Sequence, residues 1–297
     1  MLILQQLISG LMIGGIYVMV AVAFTLTIGM LNFLNFTIPA LFMLAGMVAW
    51  GLTTVGIHWV VALLGGVATA TVASLIVERF TYRYMRVRYG DATEHALPLV
   101  SSLGFLIVFE HLVLIVLGSE IQRFPNPFDS ADIHIGNLII GIPQLASLIL
   151  ALLIVWGLST MLKKSRIGRA LRSIAENPDA ATLMGVNVNY IVPVVFIITG
   201  LMAGIAGMLF TLNYAAVNAY MGDEVAAKAI AGMVIGGLGN IWGAIAGGLI
   251  IGVTEVLAIH FFGADIVKIP IWGLLLILLV IRPSGLFGHT AIGKGKF

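Results

Sequence analysis

The first charged side chain in this sequence is Glu78, and everything ahead of it is a nearly unbroken succession of apolar and small residues. No soluble domain can be built that way, because water-facing surface carries charge and a typical soluble domain is about 25% charged. Over all 297 residues, 60% are hydrophobic and 9% charged, with a mean hydropathy of +1.11. The chain is therefore an integral membrane protein. A spanning helix needs about 20 mainly apolar residues, and runs of that length recur to the end of the sequence, leaving no room for a separate soluble domain. Barrel strands would alternate apolar and polar residues, whereas LISGLMIGGIYVMVAVAFTLTIGM is apolar on every face. The expected fold is an all-α polytopic membrane protein, one transmembrane domain over residues 1–297. With no cationic region ahead of the first run, the start reads as mature transmembrane structure and not as a cleaved signal peptide.

Punctuation by polar residues, Pro and Gly predicts spans near 7–29, 36–52, 57–77, 97–117, 143–162, 190–213, 241–262 and 267–282, with a shorter apolar segment at 225–238, about eight or nine in all. Positive residues cluster at Arg79, Arg83, Arg86 and Arg88, at Lys163, Lys164, Arg166, Arg169 and Arg172, and at Arg282, Lys294 and Lys296. The positive-inside rule puts these loops in the cytoplasm. The turn-rich loop containing FPNPFDSADIH then lies outside, and so does the amino terminus.

AGMVAWGL at residues 45–52 returns as AGMVIGGL at 231–238, and ALLGG at 62–66 resembles AIAGG at 244–248. In the predicted topology the two halves run in opposite directions, an inverted repeat of the kind that gives transporters two related gates. Convergent Gly/Ala packing is the alternative. Gly10/Gly14, Gly200/Gly204, Gly243/Gly247 and Gly248/Gly252 have the small-xxx-small spacing of closely packed membrane helices. GGLGN, residues 236–240, reads as a turn.

One long passage is polar. In SRIGRALRSIAENPDAATLMGVN, residues 165–187, Ile167, Ala170, Leu171 and Ile174 share one helix face while Arg166, Arg169, Arg172 and Glu176 take the other. Asn177 followed by Pro178, with Asp179 in the first turn, opens a second short helix, and Gly185 stops it. A basic amphipathic helix can lie on anionic lipid. The capped second helix, which carries Asp179 and no positive charge, instead fits a knob for another protein's groove.

These residues resemble a known family. DAATLMG, Asp179 to Gly185, is similar to the EAA-x-x-x-G signature of ABC-importer permeases, with Asp in place of Glu. GRALRSIAENPDAATLMGVN, GMVIGGLGNIWGAIAGGLIIGVTEVL and TLTIGMLNFLNFTIPALFMLAG resemble the LivH-type permeases of branched-chain amino acid importers, over most of the chain. Where that family often has Asn-Phe-Ala-His/Gln-Gly, this chain has Asn35, Phe36, Thr37, Ile38 and Pro39, which bears on the substrate and not on the fold. The resemblance implies a LivM-like second permease or a second copy of this chain, two cytoplasmic ATPases and an external substrate-binding protein, in a bacterial inner membrane. It makes residues 163–190 the coupling loop, with Arg166, Arg169, Glu176, Asp179, Ala180, Ala181 and Gly185 facing the ATPase. No G-x-x-x-x-G-K-[ST] loop is present, so ATP is expected to be used by the partner subunits, with no cofactor on this chain.

Polar groups at membrane depth must face protein or water. The candidates for a solute path are Asn32 and Asn35 in one half, Asn213 and Asn218 in the other, and Glu255; Glu110 and His111 are further intramembrane ionisable groups. Glu224 and Lys228 stand four apart and are expected to pair. His58, His95, His134, His260 and His289 have no metal-like spacing, so no metal site and no catalytic residue is expected. A secondary transporter or a channel for a small neutral solute is the competing class, and urea, amides and aromatic acids compete with amino acids as substrates.

Overall fold

Inside a bilayer the backbone has no water to bond, so apolar runs of this length are stable as helices. The structure, a computed structural model, describes residues 2–84, 96–125, 132–135 and 138–288. Among them are eleven α-helices: α1 (Leu2–Leu31), α2 (Ile38–Thr54), α3 (Trp59–Glu78), α4 (Ala96–Leu117), α5 (Ile142–Lys164), α6 (Arg166–Glu176), α7 (Pro178–Leu183), α8 (Val188–Tyr214), α9 (Met221–Gly236), α10 (Ile241–Phe262) and α11 (Lys268–Ile281). A π-helical turn, Arg79–Arg83, prolongs α3. The chain is thus an all-α polytopic membrane protein. Seven helical segments are long and apolar enough to cross a membrane. The helices at the two repeated sequence segments are shorter, 17 residues in α2 and 16 in α9. At 1.5 Å per residue they reach about 24 to 26 Å, less than the roughly 30 Å hydrocarbon core.

The boundaries follow local chemistry. Asn32 takes a left-handed conformation, φ 57°, and ends α1; α2 restarts with Pro39 in its first turn, where its missing N–H has no intrahelical partner to lose. The Asn240 side chain accepts from Trp242 N and Gly243 N to open α10. GGLGN is the turn expected, since α9 ends at Gly236 and α10 begins at Ile241.

α1 is the axis of the bundle, and every residue from Ile16 to Phe24 is buried, as a helix apolar on all sides requires. It packs along α10, while α3 packs along α8; α2 lies against α3 and α8, and α9 against α10 and α1. Gly10 and Gly14 of α1 meet Val253 and Leu249 of α10, and Gly200 and Gly204 of α8 meet Thr71 and Val67 of α3 in the same way. α4 and α11 lie at the periphery, with Ile115, Val116, Val280 and Ile281 turned outward.

The described basic residues of the first two clusters gather at one end of the bundle, where Arg83 Nη2 donates to Asn189 O at 2.6 Å and Lys163 Nζ stands 5.7 Å from the centre of the Trp242 ring. Arg86, Arg88, His95, His289, Lys294 and Lys296 lie outside the described residues. At this basic end the chain beyond α11 folds back: Leu286 N and Phe287 N donate to Ile235 O and Gly236 O, each at 2.9 Å, and Asn240 Nδ2 donates to Phe287 O at 2.9 Å. The opposite end carries the only strands among the described residues. β1 (Gln122–Arg123) pairs antiparallel with β4 (Ala216–Val217), and β2 (Asp132–Ile135) pairs with β3 (Leu138–Gly141). The loop expected to be turn-rich therefore contains a hairpin, a period-two element too short to show above the turn signals around it.

Candidate functional site

The polar passage forms a compact platform at the basic end. Ser165 accepts from Gly168 N at 3.0 Å and caps α6. A side chain at Gly168 would overlap the Leu162 carbonyl, so glycine lets α6 fold back tightly on the end of α5. Arg172 donates to that same Leu162 oxygen, while Leu171 and Ile174 are buried beneath. The expected amphipathic faces are those observed. Asn32 Nδ2 donates to Ala175 O at 3.4 Å, which ties the α1–α2 connection to the end of α6.

α7 is capped at both ends. Asn177 Oδ1 accepts from Asp179 N at 3.0 Å and Ala180 N at 2.9 Å. At the other end Gly185, at φ 86°, donates to Thr182 O and Val186 N donates to Ala181 O, both at 3.0 Å, the paired bonds of a Schellman stop. Arg166, Arg169, Glu176, Asp179, Ala180 and Gly185 are exposed, but Ala181 is 3% exposed and faces inward. Two residues the sequence reading did not single out dominate the tip: Leu183 is 88% exposed and Met184 86%. The signal available for them was an apolar pair directly before the glycine stop of a helix with no room for a core.

The asparagines divide between the two ends. Asn32 is exposed at the basic end, while Asn35 beside it is fully buried, with Oδ1 accepting from Thr37 N at 3.1 Å and from Thr37 Oγ1 at 2.5 Å. At the opposite end, Asn213 Nδ2 donates to Leu209 O at 2.7 Å and Asn218 Oδ1 accepts from Tyr220 N at 2.9 Å. In this naturally cysteine-free chain, Asn32→Cys and Asn218→Cys are expected to react with a small water-soluble thiol reagent and Asn35→Cys to stay inert. Equal labelling rates at 32 and 35 would show that water reaches Asn35.

Two buried carboxylates carry charge into the bundle: Glu78, 3.8 Å from Arg83, and Glu255, where α1, α9 and α10 meet. Lys228 Nζ lies 2.5 Å from Glu255 Oε1, and Tyr17 donates to Glu255 Oε2. Lys228 Nζ is also 3.3 Å from Tyr17 Oη and 5.5 Å from the centre of its ring. The expected Glu224–Lys228 pair is thus corrected: Lys228 turns across to Glu255. Glu224 sits exposed in the first turn of α9, where water can solvate it, whereas the 6%-exposed Glu255 has no such alternative. Glu110 lies beside Asp223, and His111 Nδ1 lies 2.9 Å from Ile107 O within its own helix. No group of three or more metal-ligating side chains occurs among the described residues.

A bundle of apolar spanning helices, with intramembrane polar clusters and a capped helical knob projecting from its basic end, defines a multi-pass membrane permease. The chain belongs to the family described as branched-chain amino acid transport system / permease component, which matches residues 6–281. It is 28% identical over 304 residues to the high-affinity branched-chain amino acid transport system permease protein BraD of Pseudomonas aeruginosa, covering 98% of this chain and 97% of that one. To the corresponding protein LivH of Escherichia coli K12 it is 29% identical with the same coverage. The D-allose transport system permease protein AlsC of Escherichia coli K12 is 33% identical over 162 residues, 52% of this chain and 48% of that one. No solved structure matches.

Proposed function

We propose that this chain is one of the two permease subunits of an ABC importer in a bacterial inner membrane. Its cargo in this reading is a branched-chain or similar hydrophobic amino acid, the substrate class named for BraD and LivH, delivered by an external binding protein. Two separate ATPase subunits use the ATP, and a LivM-like permease or a second copy of this chain completes the path. The positive-inside rule supports a cytoplasmic basic end and an external amino terminus. The matched glycine crossings of α1 on α10 and α8 on α3 support an inverted repeat of α1–α3 and α8–α10.

The observation that carries the importer reading is the tip of α7. A helix held rigid by caps at both ends, presenting Leu183 and Met184 almost wholly to the exterior at the charged end of the bundle, is suited to an apolar groove on a soluble partner. A lipid-surface helix would turn such residues toward the membrane. Leu183→Asp is expected to weaken ATPase binding by about ten- to a hundredfold, the equivalent of one well-buried leucine. Gly185→Val acts differently: nothing lies within 4 Å of its missing Cβ, so its cost is backbone strain at φ 86° alone, about 1–2 kcal/mol. Both variants should insert normally and lose ATPase copurification. Wild-type binding in both would make the platform a lipid-surface element.

A secondary transporter is favoured by one observation, the ionisable pair at membrane depth. Uptake into sealed vesicles separates the two. The importer reading requires internal ATP and added binding protein, and uptake driven by a proton or sodium gradient alone would overturn it.

A further inference from the structure

The crossings of the two halves are alike in backbone and unlike in chemistry. Where α8 meets α2, a side chain at Gly207 would overlap the Phe42 carbonyl; at the matching place where α1 meets α9, Tyr17 lies against Lys228. Ala73 of α3 stands where α10 has Glu255, on the same glycine-matched registers. One half therefore forms this junction from Gly207, Phe42 and Ala73, and packing does not demand charge there. The other half carries a phenol, an ammonium and a carboxylate, groups that are expensive at membrane depth. Exposure is also uneven: Tyr17 is 1% and Glu255 6% exposed, while the Lys228 side chain keeps 20%. The ammonium-bearing side chain is the most exposed member of the cluster.

We infer that Tyr17, Lys228 and Glu255 form a transient binding station for a zwitterionic amino acid, with Lys228 taking the α-carboxylate and Glu255 the α-ammonium. The inference rests on the amino-acid importer reading above. With no cargo, the two protein charges neutralise each other. An arriving zwitterion exchanges partners with them, so every charge remains paired throughout and no isolated ion is left in a dry site. The Tyr17 hydroxyl, donating to Glu255, holds the carboxylate in place during the exchange. A neutral solute without both charges has nothing to exchange, which makes the station selective for amino acids over alcohols or amides of the same shape.

The test uses the assembled importer in proteoliposomes, with the paired variant Lys228→Met/Glu255→Leu. Replacing both members of a buried ion pair by apolar residues of similar size tends to be neutral for stability. Membrane level and ATPase copurification should therefore persist, while binding-protein-dependent L-leucine uptake falls about tenfold or more, the value of hydrogen bonds to charged groups. Uptake equal to wild type would overturn the station and leave the pair as packing. If the paired variant fails to assemble, the unaltered complex decides. Modification of Lys228 by a water-soluble amine reagent, read by mass spectrometry, should be slowed by L-leucine and not by leucinol, which lacks the carboxylate. Identical modification with both would overturn the station. A wild-type complex that carries no amino acid sinks the importer reading itself, whereas wild-type uptake beside an equally active paired variant sinks only the station.

Discussion

Glu255→Gln is expected to destabilise the permease by about 3–5 kcal/mol, the range for breaking a buried ion pair from one side. Glutamine preserves volume and can still accept from the Tyr17 hydroxyl, but it leaves the Lys228 ammonium, 20% exposed in its side chain, without a counter-charge at membrane depth. Lys228→Met should be as damaging, because it strands the carboxylate. Removing both should recover most of the loss, and the difference in a double-mutant cycle gives the coupling of the pair. Thermal unfolding midpoints in detergent supply the measurement. Midpoints that fall additively, with no recovery in the paired variant, would mean that Lys228 and Glu255 do not act on each other.

Gly247→Val should be equally severe for a different reason. A Cβ at Gly247 would overlap the Gly232 carbonyl oxygen, and the same crossing brings Gly236 against Gly243. Here two backbones touch, and neither can rotate away as a side chain can. Ordinary overpacking costs about 1–3 kcal/mol; rigid backbone on both sides places this variant at or above the upper end, with α9 forced off α10. Gly157→Ala is the matching control, since nothing lies within 4 Å of that position and alanine favours a helix by roughly 0.5–1 kcal/mol. Membrane level and unfolding midpoint should fall for the first and hold or rise for the second. A tolerated valine at 247 would mean that the crossing is looser than its geometry indicates.

Features that depend on short-range chemistry were legible in the sequence. Asn177, Pro178 and Gly185 each act within a few residues, and α7 begins and ends where they indicate. The faces of α6 follow from its helical period, and the long apolar runs leave the backbone no other choice than helix. What depends on a distant partner was not legible. Spacing pairs Lys228 with Glu224 one turn away, yet the ammonium meets Glu255 on another helix, because only the fold reveals which carboxylate is cut off from water. Asn35 and Asn32 look alike as amides in a helix break, and burial alone separates them. Ala181 belongs to the signature-like segment but faces inward, since a six-residue helix must rest one side on its support.

The return of Leu286 and Phe287 to the end of α9 sets an order on how the protein can be made. A helix leaves its last carbonyls without partners, and those of Ile235 and Gly236 find theirs in amide groups some fifty residues later in synthesis. Until the ribosome has delivered that stretch, α9 is an unfinished helix, and the turn into α10 has lost the Phe287 carbonyl that Asn240 holds. The turn between α9 and α10 can therefore be latched only after Phe287 has been made. A chain truncated before Ser284 would keep every one of the helices α1 to α11, yet remain unlatched at its basic end.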